Sequence, residues 1–355
     1  MEGFEGPRPP NKEELGNVVQ FLNSQLRREA KWSIADEYPT TYSAENRENI
    51  RIIKGDGQVL SHAAIKTLII KTPFGLFKVA AIGGVVTAET HRQQGLGRKI
   101  LDDCVTIAKE QGHDFAILWT NLYELYRKVG FELGGSEISV VLEKPIPVAS
   151  PLNLKFLKGS NISAEALEKV YSKHTVTNIR RISDIQKFLK IPNSTVYSAW
   201  TPQNQMVAYA VEGKGSDLNG YIHEWGGGVN EILHLLNFAL KDQQRNITVI
   251  CPGHAQNLIK SIQPHAKVFH PGYLGMIKIL NKKNLTEKVN RYARLIGHSR
   301  FDLAPLIDQS HESQLVRVFF GPTDSNFISK CDDKNREILN QILPIPMWVW
   351  GWDSV

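Results

Sequence analysis

Arg92-Gln93-Gln94-Gly95-Leu96-Gly97 is the stretch that decides how this chain is read. It follows an apolar, strand-like run, Phe77 to Val86. It opens an amphipathic stretch from Gly97 to Gln111, with Ile100, Leu101, Cys104, Ile107 and Ala108 on one face and Gly112 as its C-terminal stop. Glycines at two alternate positions permit backbone geometry that a Cβ resists, so successive N–H groups can point into one concavity. The helix N-terminus adds partial positive charge, and the turn suits a pyrophosphate. Alone, the same turn is equally a tight strand-to-helix connection.

Downstream comes Leu125-Tyr126-Arg127-Lys128-Val129-Gly130-Phe131, on the helix expected after a short apolar strand, Phe115 to Trp119. A tyrosine on an amphipathic helix is commonly a core aromatic. The pair is more specific than either part. Arg-x-x-Gly-x-Gly, then helix, strand, helix, then Tyr-x-x-x-Gly-Phe resembles the cofactor-binding half of the GNAT superfamily of acyl-CoA N-acyltransferases, over about residues 10 to 142.

That resemblance implies an α/β (α+β) fold around a mixed, twisted sheet, with acetyl-CoA as the acyl-donor co-substrate. The phosphate turn is then Gln93, Gln94, Gly95, Leu96, Gly97 and Arg98, led by Arg92. Backbone groups of Val85, Val86 and Thr87 pair with the pantetheine arm, and Gly83-Gly84 marks a bulge opening that strand from the next. Tyr126 protonates the departing thiolate. Asn121 is either a polar contact to the cofactor or, with Glu124, the cap of the helix carrying Tyr126.

The reaction also needs a base, because an ammonium must lose a proton before it attacks a thioester. Many members of the superfamily carry a glutamate on the strand before the phosphate turn. Phe77 to Val86 contains no carboxylate, so the base comes from elsewhere. Candidates are Asp36 and Glu37 after the first helix, His223 or Glu224 farther on, and the terminal carboxylate of Val355. Tandem acetyltransferases of the enhanced-intracellular-survival type use such a terminus, and lysine N6-acetyltransferases are a second comparison.

Asn11 with Glu14 forms a capping-box opening for a first helix through Leu15, Val18, Val19, Leu22 and Leu26. Strands are expected at Ile50 to Lys54, Ala64 to Lys71 and Ile138 to Leu142, the last completing the first unit. A proline-bearing linker, Glu143 to Pro151, follows. Strands at Thr195 to Trp200, Val207 to Glu212 and Tyr221 to Trp225 then lead to Gly226-Gly227-Gly228. A helix, a strand at Ile247 to Cys251, another helix and a strand at Leu274 to Leu280 follow, an order that repeats the first unit. The expected division is 1–147, a GNAT-type domain; 148–281, a degenerate GNAT-like domain; and 282–355, an extension with a strand at Leu315 to Phe320. Its end, Pro344 to Val355, holds Trp348, Trp350 and Trp352, an apolar patch that must dock. The second glycine turn lacks the leading Arg and the Gly-x-Gly spacing, so the second unit is expected to wall the acceptor pocket and bind no CoA.

At 355 residues, 42% hydrophobic and 22% charged, the chain has the composition of a globular protein of two or three units. The net charge of +6 is scattered, without the basic stripe of a nucleic-acid surface. No stretch reaches membrane-spanning length, and Cys104, Cys251 and Cys331 stand far apart, without paired or metal-ligand spacing. A cytoplasmic protein without metal, membrane or nucleic-acid partner is expected. The function indicated is transfer of an acetyl group to a small-molecule or amino-acid-like amine by direct attack through a tetrahedral intermediate. Acetylation of a protein or peptide, and a non-catalytic CoA-binding sensor or scaffold, are the alternatives.

Overall fold

Asn11 and Glu14 bond reciprocally, side chain to amide, at 2.8 and 2.9 Å, so the first helix begins where the capping box puts it. The structure is a computed structural model that describes residues 3–148, 153–322, 325–329 and 331–355. Its first part runs β1 (Phe4–Arg8), α1 (Glu14–Leu26), α2 (Ile34–Glu37), β2 (Ile50–Gly55), β3 (Gln58–Thr72), β4 (Gly75–Thr87), α3 (Leu96–Glu110), β5 (Phe115–Leu118), α4 (Tyr123–Arg127), β6 (Glu132–Gly134) and β7 (Glu137–Leu142). Residues 149–152, at the end of the expected linker, lie outside the described residues.

The second part runs β8 (Lys155–Lys158), α5 (Ala164–Tyr171), β9 (Thr177–Asn178), α6 (Ile182–Phe188), β10 (Thr195–Trp200), β11 (Met206–Lys214), β12 (Asp217–Gly226), α7 (Val229–Gln243), β13 (Ile247–Pro252), α8 (Gln256–Ile262), β14 (Val268–Gly272) and β15 (Gly275–Ile279). Helices α9 (Lys282–Leu295), α10 (Ala304–Ile307), α11 (Glu312–Phe320), α12 (Ser325–Ser329) and α13 (Asp333–Ile342) lead to an extended tail. Among the described residues no helix is long and apolar enough to cross a membrane.

The chain adopts the expected α/β class, with two mixed sheets. The first has the order β1-β2-β3-β4-β5-β15-β6, with β9 pairing on β3; the second is β14-β7-β13-β12-β11-β10-β8. In each, one parallel pair stands among antiparallel ones, β4 with β5 and β12 with β13.

The last strands are exchanged between the sheets. Ile138 to Leu142, expected to complete the first unit, pairs instead with β13 and β14 in the second sheet. Strand β15, from the second part, fills the gap between β5 and β6 in the first. Two chain segments thus cross between sheets side by side: Gly275 faces Gly134 in one sheet and Gly272 faces Glu137 in the other, in one unbroken register. Gly135, at φ +74°, makes the crossing; a Cβ there would lie 2.5 Å from Leu274 Cβ. One buried cluster accordingly spans both sheets, from Val79, Phe115 and Ile117 to Val140, Val249 and Trp348.

Leu315 to Phe320 is helical, contrary to the strand expected there. Leu315, Val316, Val318, Phe319 and Phe320 are all buried in α11, and a continuous apolar run that short fits either period. The deciding signal lies upstream, where His311 and Gln314 cap the helix reciprocally.

Candidate active site

Strand β4 pairs in parallel with β5 only from Val79 to Ala81, opposite Phe115 to Ile117. Strand β5 ends at Leu118 while β4 continues to Thr87, so the two part beyond that point. On its other edge β4 carries a bulge. His62 faces Val86 and Ala64 faces Gly83, leaving Gly84 and Val85 together opposite Ala63. Gly84 has φ +60°, and a Cβ there would run into the Tyr42 hydroxyl. His62 Nδ1–H donates to the Gly84 carbonyl at 2.7 Å and fixes the bulge. Burial pushes that imidazole down to about 4, so it is neutral. On the side away from β3, the backbone of Val85, Val86 and Thr87 therefore has no neighbouring strand among the described residues.

The turn after β4 has two left-handed residues, Gln93 at φ +64° and Gly95 at φ +80°, and Gly95 caps α3 with no side chain over its first amides. Arg92, Gln93, Gln94, Gly95 and Arg98 are exposed, while Leu96 anchors the turn in the core. A Cβ at Gly95 would meet nothing within 4 Å, and one at Gly97 only Thr87 Oγ1 at 3.4 Å. Protein packing does not require a glycine at Gly97; its missing Cβ leaves a concavity open before free helix N–H groups. These residues fit a pyrophosphate.

The second glycine turn is built differently. A Cβ at Gly227 would lie 2.5 Å from Ala208 Cβ, and the space over Gly228 is taken by the Glu231 carboxylate in the first turn of α7. Trp225 also bridges the parallel strands, donating its indole N–H to the Ile250 carbonyl at 3.1 Å, and Trp350 packs on it at 5.1 Å. A side-chain anion and an indole occupy what the first unit leaves open.

Tyr126 is buried on α4, edge-on to Phe131 at 6.2 Å, and its hydroxyl makes no hydrogen bond among the described residues. Burial raises its pKa, keeping it protonated at neutral pH. Asn121 is exposed and does not cap α4; Thr120 Oγ1 instead accepts from the Leu122 amide, and α4 starts without a side-chain cap.

The C-terminal tail is docked. Trp348, Trp350 and Trp352 are at most 2% exposed. Asp353 accepts from Arg180 Nη2 at 2.7 Å and Asn178 Nδ2 at 2.8 Å. Lys214 Nζ donates to the carbonyls of Gly351 and Ser354 at 2.9 and 2.8 Å, and its ammonium lies 4.3 Å from the Tyr38 ring centroid. The last residue reaches the bulge: a Cβ on Gly83 would stand 2.6 Å from the Val355 carboxyl carbon. That carboxylate has no ion-pair partner among the described residues.

The other base candidates are differently placed. Glu224 is fully buried, with both oxygens on Arg180 at 2.7 and 2.8 Å and Tyr209 adding a third bond. Glu37 is fully buried between Arg27, the Trp32 indole N–H and the Ser216 amide, where it clasps the two parts of the chain together. Both base candidates, Glu224 and Glu37, are thus buried and each accepts three hydrogen bonds within the fold. Asp36 caps α2. His223 donates from Nε2 to Gly213 at 2.9 Å, is pushed by burial down to about 3, and lies under Gly351.

Between the two parts and the tail lies a cavity of about 440 Å³, walled by Tyr38, Trp119, Tyr221 and Trp348 and reached by Val355. Sequence reasoning missed Glu137 and Asp217 in its wall, because nothing local marks a lone carboxylate at a strand start.

Residues 7–134 match the family model described as an acetyltransferase (GNAT) domain. That match assigns a GNAT domain to the first part of the chain. No curated protein matches it. Solved structures share its fold. A probable N-acyltransferase from Enterococcus faecalis V583 aligns at 14% identity over 80% of this chain and 74% of that one, TM-score 0.62. A GCN5-related N-acetyltransferase from Anabaena variabilis aligns at 15% over 80% and 75%, TM-score 0.59. Eis1 from Mycobacterium abscessus aligns at 12% over 80% and 75%, TM-score 0.54.

Proposed function

We propose that this protein is an acetyl-CoA-dependent N-acetyltransferase of a small-molecule amine, with Val355 supplying the base and Tyr126 the acid. The observation that carries the reading is the unpaired Val355 carboxylate seated against Gly83 at the β4 bulge. Residues 1–147 supply the donor side, 148–281 the second wall and 282–355 the closing tail.

Arg92 to Arg98 and the first amides of α3 hold the CoA pyrophosphate, and Val85, Val86 and Thr87 offer backbone groups to the pantetheine amides. Exposed Asn121, freed from any capping role, contacts the donor beside them. The thioester supplies an acetyl group and a thiolate leaving group. Val355 takes the proton from the acceptor ammonium, and the neutral amine attacks the thioester carbon directly. Bulge N–H groups stabilise the oxygen as its charge grows. The carbon–sulfur bond breaks, Tyr126 gives its proton to the departing sulfur, and the second proton lost from the acylated nitrogen returns to the tyrosine through solvent. The products are an N-acetyl amine and free CoA.

A cavity lined by both parts of the chain and the tail supports a small acceptor over a protein segment. Deleting Val355 tests the assignment. Turnover of an amine panel should fall at least about 100-fold while acetyl-CoA affinity by calorimetry holds. Undiminished turnover removes the terminus from the mechanism. CoA binding with no thiol release from any amine, in the intact chain, favours a sensor instead.

A further inference from the structure

The cavity contains a carboxylate that the reaction above leaves unused. Glu137 is the first residue of β7, placed where the exchanged strands cross and paired between Pro252 and Gly272. It lines the cavity beside Ile250 and Leu274. Among the described residues no cation pairs with it.

Asp217, also in the wall, differs: Arg27 Nη2 lies 2.7 Å away and the Tyr38 hydroxyl donates at 2.5 Å. Among the described residues no Lys, Arg or His lines the cavity. Glu137 and the terminal residue Val355, each bearing a carboxylate, thus line one aromatic-walled space with no cation among its described lining residues. Removing an anion from water without a partner is unfavourable, and burial pushes Glu137 up to about 7, partly offset by the Ser139 hydroxyl. A cationic ligand reverses that imbalance. The aromatic faces of Tyr38, Trp119, Tyr221 and Trp348 suit its alkyl body and any cationic nitrogen that lies over a ring.

We propose that Glu137 binds a second ammonium group of the acceptor, so that the substrates are diamines, amines with another cationic nitrogen, presented with one nitrogen at Val355 and the other at Glu137. This rests on reading the cavity as the acceptor pocket. The terminal carboxylate removes a proton from the nitrogen to be acetylated, whereas Glu137 keeps its nitrogen charged and unreactive. Glu137 is in this sense a specificity-determining residue, and mono-acetylated product follows from the arrangement.

The test compares straight-chain α,ω-diaminoalkanes with monoamines of equal chain length, on the full chain with acetyl-CoA. The intact protein should prefer diamines in kcat/KM, and Glu137→Gln should erase about 10- to 100-fold of that preference through KM. Glu137→Asp, which keeps the charge, should retain part of it. An equal fall in kcat for both series would make Glu137 a base, and an unchanged preference would remove it from recognition; either overturns the proposal. If no amine is acetylated, the acyl-transfer reading of the cavity fails separately. Calorimetry with the same diamines then still decides Glu137: binding weakened by Glu137→Gln supports it, and binding absent or indifferent to the change overturns it.

Discussion

Lys214 holds the Ser354 carbonyl at 2.8 Å, one residue short of the terminal carboxylate. This lysine is fully buried, and burial pushes its pKa from 10.5 down to about 7. Asp353, Asp217 and Glu224 pull it up and Arg180 pushes it down. The unfolded chain therefore binds one more proton than the folded chain between about pH 7 and 10.5. Stability from this group is complete above that window and is lost as pH falls toward 7, by at most about 1.4 kcal/mol per unit. Lys214→Met should flatten this part of the melting-temperature profile, measured across the same window. The variant should also lower kcat with CoA affinity intact, because the tail loses its ammonium anchor.

Arg180 lies between Glu224 and Asp353, all three essentially inaccessible to water. Arg180→Met would strand two buried carboxylates and should cost about 3–5 kcal/mol in denaturant unfolding. Asp353→Asn leaves the Glu224 pair standing and should cost less, yet it should still reduce turnover by loosening the tail. Equal stability losses for the two variants would contradict this ranking.

Two glycines separate the halves of the site. Gly83→Ala should displace Val355 and depress kcat while CoA binds normally. At Gly97 a Cβ meets only Thr87 Oγ1, so Gly97→Val should shift melting little, yet CoA binding should be lost. Calorimetry with CoA and thermal unfolding on both variants read the contrast.

Tyr126→Phe removes a hydroxyl that makes no hydrogen bond among the described residues. Stability should stay within about 0.5 kcal/mol, and kcat should fall roughly 100-fold or more, with KM for the amine little changed. Steady-state kinetics beside a thermal melt provide the check.

Much of this was legible because it is local. The Asn11–Glu14 box, the Thr195–Trp200 strand and the left-handed turn before α3 are written within a few residues each. The three tail tryptophans announced a docking site by their apolarity. Strands β1, β6 and β14 escaped notice because they are short, and β1 and β14 are edge strands that contain proline. The approach of Val355 to Gly83 joins residues 272 positions apart, and no window along the chain contains both. Likewise nothing local to Glu224 and Glu37 names the arginines that pair with them, Arg180 and Arg27.

The exchange of β7 and β15 bears on how such a chain can be inherited. Each half lends the other the strand that finishes its sheet, so neither is a transplantable module. A recombination event at the linker would export an unfinished sheet with an open seam where β15 belongs. The two halves are bound to change as a couple, with the crossing that carries Glu137 as their shared hinge of descent.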